Sequence, residues 1–260
     1  MNHQPLFGFP AKVCRMVLFF ILIGFFSLET AGQAPNGWKL EKMPPDLETD
    51  FALSSLPPYV RKDATVYLLD PERGFYVARE GKNGFICFVL RTDWESGEFR
   101  QDFASAISYD AEGVKTIFPV YADVEAMRAS GKFTGAQVKD TISARFARGY
   151  YKAPGRPGIS YMLAPIMRAY IGEENHKHIE TFIMPHYMFY APYMSEADIG
   201  GNSPGDGPFI LANGKDPHGY IILPAGAMEK EQMSKENAPL LKRLIAYRSY
   251  FDPVHSEMHH

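Results

Sequence analysis

Cysteine is nearly absent from this sequence: Cys14 and Cys87 are the only two in 260 residues. Cys14 precedes a segment read below as removable, which leaves Cys87 alone and excludes an internal disulfide framework. Charge of one sign is also missing. Lys and Arg total 27, Asp and Glu total 30, and no run of like charge stands out. A mildly acidic, mixed surface has no electrostatic footprint for nucleic acid and gains nothing from anionic membrane surfaces. After residue 28 no stretch is long and apolar enough to cross a membrane. There is no G-x-S-x-G elbow, no H-E-x-x-H helix and no dinucleotide glycine fingerprint. The glycine-rich stretch IGGNSPGDG (199–207) lacks the lysine and spacing of a phosphate loop, so it reads as a flexible connection.

What is present begins with an export signal. Lys12 and Arg15 precede MVLFFILIGFFSL (16–28), thirteen residues without a charge. A membrane span needs roughly 20 apolar residues, whereas this length suits the core of a signal peptide. The small residues Ala31, Gly32 and Ala34 follow as a peptidase requires, and cleavage after Gly32 or after Ala34 fits equally. The alternative is an uncleaved anchor. Either way the remainder lies outside the cytosol, periplasmic or secreted, with no stable membrane span once the signal is cut.

The expected organisation is a signal peptide (1–34), a proline-rich leader with a short helix (35–57), one α+β domain (58–251) and a disordered tail (252–260). That length can bury roughly 70% of its unfolded surface without staples. Strands are expected at 64–70, 74–80 and 84–91, opening as an antiparallel meander through the Asn83-Gly84 turn signal. Residues 92–113 read as polar and irregular, and 115–121 as a short strand. Helices follow at 122–130 and after Thr134, where Gln137 gives capping-box spacing and Val138, Ile142 and Phe146 form one stripe. Further strands are expected at 158–164, 178–193, 207–212 and 219–224, then one or two helices over 226–251. The fold class is α+β, with a mostly antiparallel sheet, central helices and a C-terminal helix.

Three groups of residues could carry chemistry. PHYMFYAP (185–192) and PHGYIILP (217–224) share the pattern Pro-His, five residues, Pro. Proline marks strand ends and edges, so His186 and His218 should open strands, and parallel neighbours would bring their rings together. Asp216 could orient such a ring. Tyr187 and Tyr190 lie on the same strand as His186 and could wall a pocket for a small-molecule ligand. Alternation puts Tyr187, Phe189 and Ala191 on one face and Met188 and Tyr190 on the other. His176, His178 and Glu180 alternate in the same way and form a set suited to zinc or non-haem iron, against the reading of a solvated turn. Cys87 could act as a nucleophile with a histidine base, but its place within GFICFVL reads as packing.

NGFICFVLR (83–91), YDAEG (109–113), PGISYMLA (157–164), PHYMFYAPY (185–193) with ADIG (197–200), and DPHGYIILP (216–224) together resemble a family of hypothetical bacterial exported proteins. The resemblance covers roughly residues 60–224. It implies a bacterial, exported, single-domain protein and carries over no catalytic residue. Some similar sequences have a second cysteine where this chain has Ser108, which implies that Cys87 is half of a disulfide lost here.

Three functions stay open: an exported binding protein with a ligand pocket near His186 and His218, a metal-dependent hydrolase using those histidines, and an envelope structural protein without a pocket. Whether the chain is an enzyme, and its oligomeric state, are not legible.

Overall fold

The computed structural model describes residues 40–170, 179–202, 207–210 and 215–253. The export segment, His176, His178 and the end of the tail lie outside them. Ten strands share one mixed sheet: β1 (Thr65–Asp70), β2 (Gly74–Arg79), β3 (Ile86–Leu90), β4 (Ala104–Tyr109), β5 (Ile159–Met162), β6 (Met167–Tyr170), β7 (Ile179–Phe182), β8 (His186–Tyr190), β9 (Phe209–Ile210) and β10 (Tyr220–Pro224). Their order is β2-β1-β3-β4-β5-β8-β10-β9, with β6 pairing both β4 and β7. Among the described residues one ladder is parallel, β1 with β3, and the others are antiparallel. The fold class is thus α+β with a mostly antiparallel sheet.

Helices cover both faces. On one lie α1 (Pro45–Ser54), α2 (Pro58–Arg61) and the C-terminal α6 (Ala227–Tyr247). There Leu47, Phe51, Leu240 and Leu244 pack with Val66, Leu68, Cys87, Val89 and Ala106. On the other lie α3 (Ala111–Thr116), α4 (Phe118–Ala129) and α5 (Gly135–Ala147). Ile117 and Phe118 meet Phe88, Ile107, Tyr109 and Met188 on this side. Successive strand residues therefore enter opposite cores, which is why these strands read as apolar throughout.

Several expectations are corrected. The short helix assigned to the leader is part of the domain, because Phe51 and Leu56 are fully buried in its core. The opening is not a meander: β3 returns to the far side of β1 and runs parallel to it. Gly81 makes that crossing possible, since a Cβ there would collide with the backbone of Ala64 and Thr65. Residues 92–113 contain β4, buried along its whole length. Its Ala and Ser residues read as polar but are small enough to sit between two cores. Residues 115–121 are helical, with Pro119 in the first turn of α4, where its missing N–H costs nothing. The strand expected over 178–193 is two strands, β7 and β8, separated at Pro185, and β6 follows Pro165 after β5 in the same way. The capping box at Thr134 and Gln137 is present as expected.

Across the β3–β4 ladder Cys87 faces Ser108. Both are fully buried, and burial pushes the Cys87 thiol up to about 12. Directly opposed residues have Cβ atoms about 4.5–5.5 Å apart, near disulfide reach. The Ser108→Cys variant is expected to lose its free thiols on oxidation and to gain up to about 3 kcal/mol from closing the loop, less the hydrogen bonds Ser108 makes to Tyr161. Thiol titration under denaturing conditions checks this; two titratable thiols after oxidation would contradict the register.

Candidate functional site

The helical layer over β4, β5, β8 and β10 is incomplete. Val138 and Ile142 of α5 pack with Val120, Val124 and Met127 of α4 and with Tyr151, in a cluster that holds no strand residue. Held by α4 rather than by the sheet, α5 leaves space beneath it. The result is a cavity of about 570 Å³, within the roughly 300–1,000 Å³ usual for small-molecule sites.

The floor comes from strand residues that point toward the helices: Leu90, Ser105, Ile107, Met162, Met188 and Ile222, with Met167 and Ala169 of β6 beside them. It is apolar except for Ser105. That side chain is 1% exposed, and its hydroxyl has no hydrogen-bond partner among the described residues. Tyr121, Ser143 and Phe146 form the helical wall.

Two loops form the rim. In the first, the Glu95 amide donates to Asp93 Oδ1 at 3.2 Å, and Trp94 stacks on Phe146 with centroids 5.8 Å apart. Arg128 of α4 anchors its start through Thr92 Oγ1 at 2.7 Å. Gly135 lets α5 approach it, because a Cβ there would strike the Gly97 carbonyl. In the second loop, the His218 amide donates to Asp216 Oδ1 at 2.7 Å. The His218 ring meets Phe146 edge-on at 5.0 Å, and its Nε2 lies 3.0 Å from the Lys152 carbonyl. A carbonyl only accepts, so Nε2 carries the proton and Nδ1 keeps a lone pair. Burial lowers this imidazole below its ordinary value, so the neutral ring is favoured.

Glu95 is raised to about 7, by loss of water around it in the cleft and then by the negative charges of Asp93 and Asp216. Glu95 is nevertheless an exposed residue, so solvent screens part of that effect. Tyr121 and Tyr220 line the cavity and meet the fully buried Tyr109 behind it. The Tyr109 and Tyr220 hydroxyls are 3.2 Å apart, and the Tyr109 and Tyr121 rings stack at 6.1 Å. Burial raises all three, Tyr121 to about 12 and the other two well above the ordinary phenol range. They stay neutral near pH 7 and can donate or accept.

No family model, curated protein or solved structure matches the chain.

His218 and Asp216 line this cavity; the other residues expected around them do not. In the β8–β10 ladder His186 faces Pro224 while Tyr190 faces Tyr220. The strands are antiparallel, so the two Pro-His openings lie at opposite ends, about 20 Å apart at roughly 3.3 Å per residue. His186 is buried, with Nδ1 2.7 Å from the Met184 carbonyl. Tyr190 donates to Asp110 Oδ1 at 2.9 Å, and Tyr187, on the other face, bonds Glu229. Glu180 lies on β7 opposite Ala169, while its two histidine companions are outside the described residues. Among the described residues no three His, Cys, Asp or Glu side chains are grouped to hold a metal ion.

Asp93, Trp94, Glu95 and Ser105 were not singled out from sequence. One usable signal was there: a tryptophan, one of two in the chain, set between two acids. Removing the unpaired hydroxyl with Ser105→Ala is expected to leave the melting temperature unchanged or raise it by a few degrees, since an unsatisfied buried polar group costs about 1–3 kcal/mol. A clear fall in a thermal melt would show that the hydroxyl is bonded in the fold.

Proposed function

We propose that the chain is an exported protein, periplasmic or secreted, that binds a small molecule in the cavity between its sheet and α5. The observation that carries the reading is an apolar floor of ligand-sized volume interrupted by one buried, unpaired hydroxyl at Ser105. The hydrolase reading needs His186 and His218 side by side, and the antiparallel register of β8 and β10 separates them. Export rests on Lys12, Arg15 and the apolar run 16–28. Among the described residues no helix is long and apolar enough to cross a membrane.

Ser143 is exposed on the cavity side of α5, so a Ser143→Trp variant fills the space at little cost to the fold. In a thermal-shift screen of small molecules, compounds that stabilise the natural chain are expected to lose their effect in this variant. Retention of the same shifts would place binding elsewhere.

N-terminal sequencing of the exported protein is expected to start at Gln33 or Pro35. Recovery with Met1 intact would contradict cleavage.

A further inference from the structure

We infer that the ligand is an amphipathic amine whose ammonium group sits at the rim near Glu95 and Asp216, with an apolar body on the floor and a polar atom reaching Ser105. This rests on the cavity being a binding site, and four features specify the ligand.

Charge at the rim comes first. Asp93, Glu95 and Asp216, from two separate loops, face one opening, and Lys215 is the only cationic side chain among the lining residues. The Glu95 carboxylate accepts no hydrogen bond among the described residues, and Asp216 uses Oδ1 for the His218 amide and leaves Oδ2. Second, Trp94 and Phe146 stack beside the acids, and aromatic faces attract ammonium groups. Third, the floor carries Met162, Met167 and Met188, polarisable side chains that adapt to an apolar body. Fourth, and independent of the acids, the Ser105 hydroxyl is buried in the floor without a partner among the described residues. A buried polar group is ordinarily bonded, so the ligand supplies an acceptor or donor at its inner end.

Amine binding should depend on pH. Glu95 is faced by Asp93 on its own loop, Tyr121 of α4, Lys139 of α5, and Lys215, Asp216 and His218 across the opening. Its ionised form attracts the ammonium, so affinity should rise with pH as the Glu95 carboxyl ionises. Protonation of His218 at low pH acts in the same direction, and the Glu95→Gln variant separates the two.

The test is calorimetric titration of the isolated chain with tyramine, phenethylamine, para-ethylphenol and para-hydroxyphenylpropionate. Tyramine is expected to bind at least about tenfold more tightly than para-ethylphenol, which lacks the charge, as one charge-assisted contact implies. The propionate should not bind. Glu95→Gln and Asp216→Asn, which keep side-chain size, should each weaken tyramine about tenfold, and Glu95→Gln should flatten the pH dependence. Ser105→Ala should weaken tyramine but leave phenethylamine unchanged. Melting curves for each variant control for folding. Equal binding of para-ethylphenol and tyramine, both blocked by Ser143→Trp, overturns the amine inference and leaves the cavity site standing. Binding that Ser143→Trp does not alter overturns both. No binding of either amine overturns the inference.

Discussion

The carboxylate of Asp110 gathers four donors where four elements meet. The amides of Glu112 and Gly113 reach Oδ1 at 3.0 and 2.9 Å, and the Tyr190 hydroxyl reaches it at 2.9 Å. The Ile159 amide reaches Oδ2 at 3.1 Å. One side chain thereby ties the end of β4, the start of α3, the start of β5 and the end of β8. Bonds to a charged acceptor contribute about 1.5–3 kcal/mol each, and here they also set geometry. Capping α3 at this point directs the chain into α4, and α4 carries α5. Gly113 and Gly158 allow the convergence, because a Cβ on either would collide with Tyr190.

The cavity follows from that arrangement. α4 spends its apolar residues in two directions: Phe118 enters the sheet core, while Val120, Val124 and Met127 join α5. α5 thus packs on α4 in a cluster that includes no strand residue among the described residues, and a cavity remains between it and the sheet. The breaks at Pro165 and Pro185 add to this by turning β6 and β7 away from β5 and β8, which widens the floor to Met167 and Ala169. An amine held at the acidic rim, as proposed, would complete the layer that the helices leave open.

Much of the fold was legible locally. β1, β2, β3, β5, β8 and β10 announce themselves as apolar runs between prolines and glycines, and the Thr134 capping box marks the start of α5. β4 was not legible. Ala104, Ser105, Ala106 and Ser108 look like a solvated loop, and their burial follows from close neighbours on both sides of the sheet rather than from their own hydrophobicity. The segment 115–121 misled in the opposite sense: its β-branched and aromatic residues favour a strand, but the amphipathic stripe of α4 and a first-turn proline make it helical. Of the candidate site, Asp216 and His218 were found from sequence, because a histidine at a strand opening is a local pattern. Their partners Asp93 and Glu95 were not, since they lie more than a hundred residues away.

By itself the sequence determined the fold class: a run of strands, then central helices, then further strands specify an α+β domain. These are properties of neighbouring residues, and spacing alone expresses them. Tertiary structure decided which strands meet and in what direction. The repeated Pro-His pattern is the same whether β8 and β10 run parallel or antiparallel, yet in the antiparallel ladder the two histidines lie at opposite ends and only His218 reaches the cavity. Pairing direction depends on hydrogen bonds between distant segments, and the cavity depends on where a helix fails to cover a sheet; neither leaves a periodic trace along the chain.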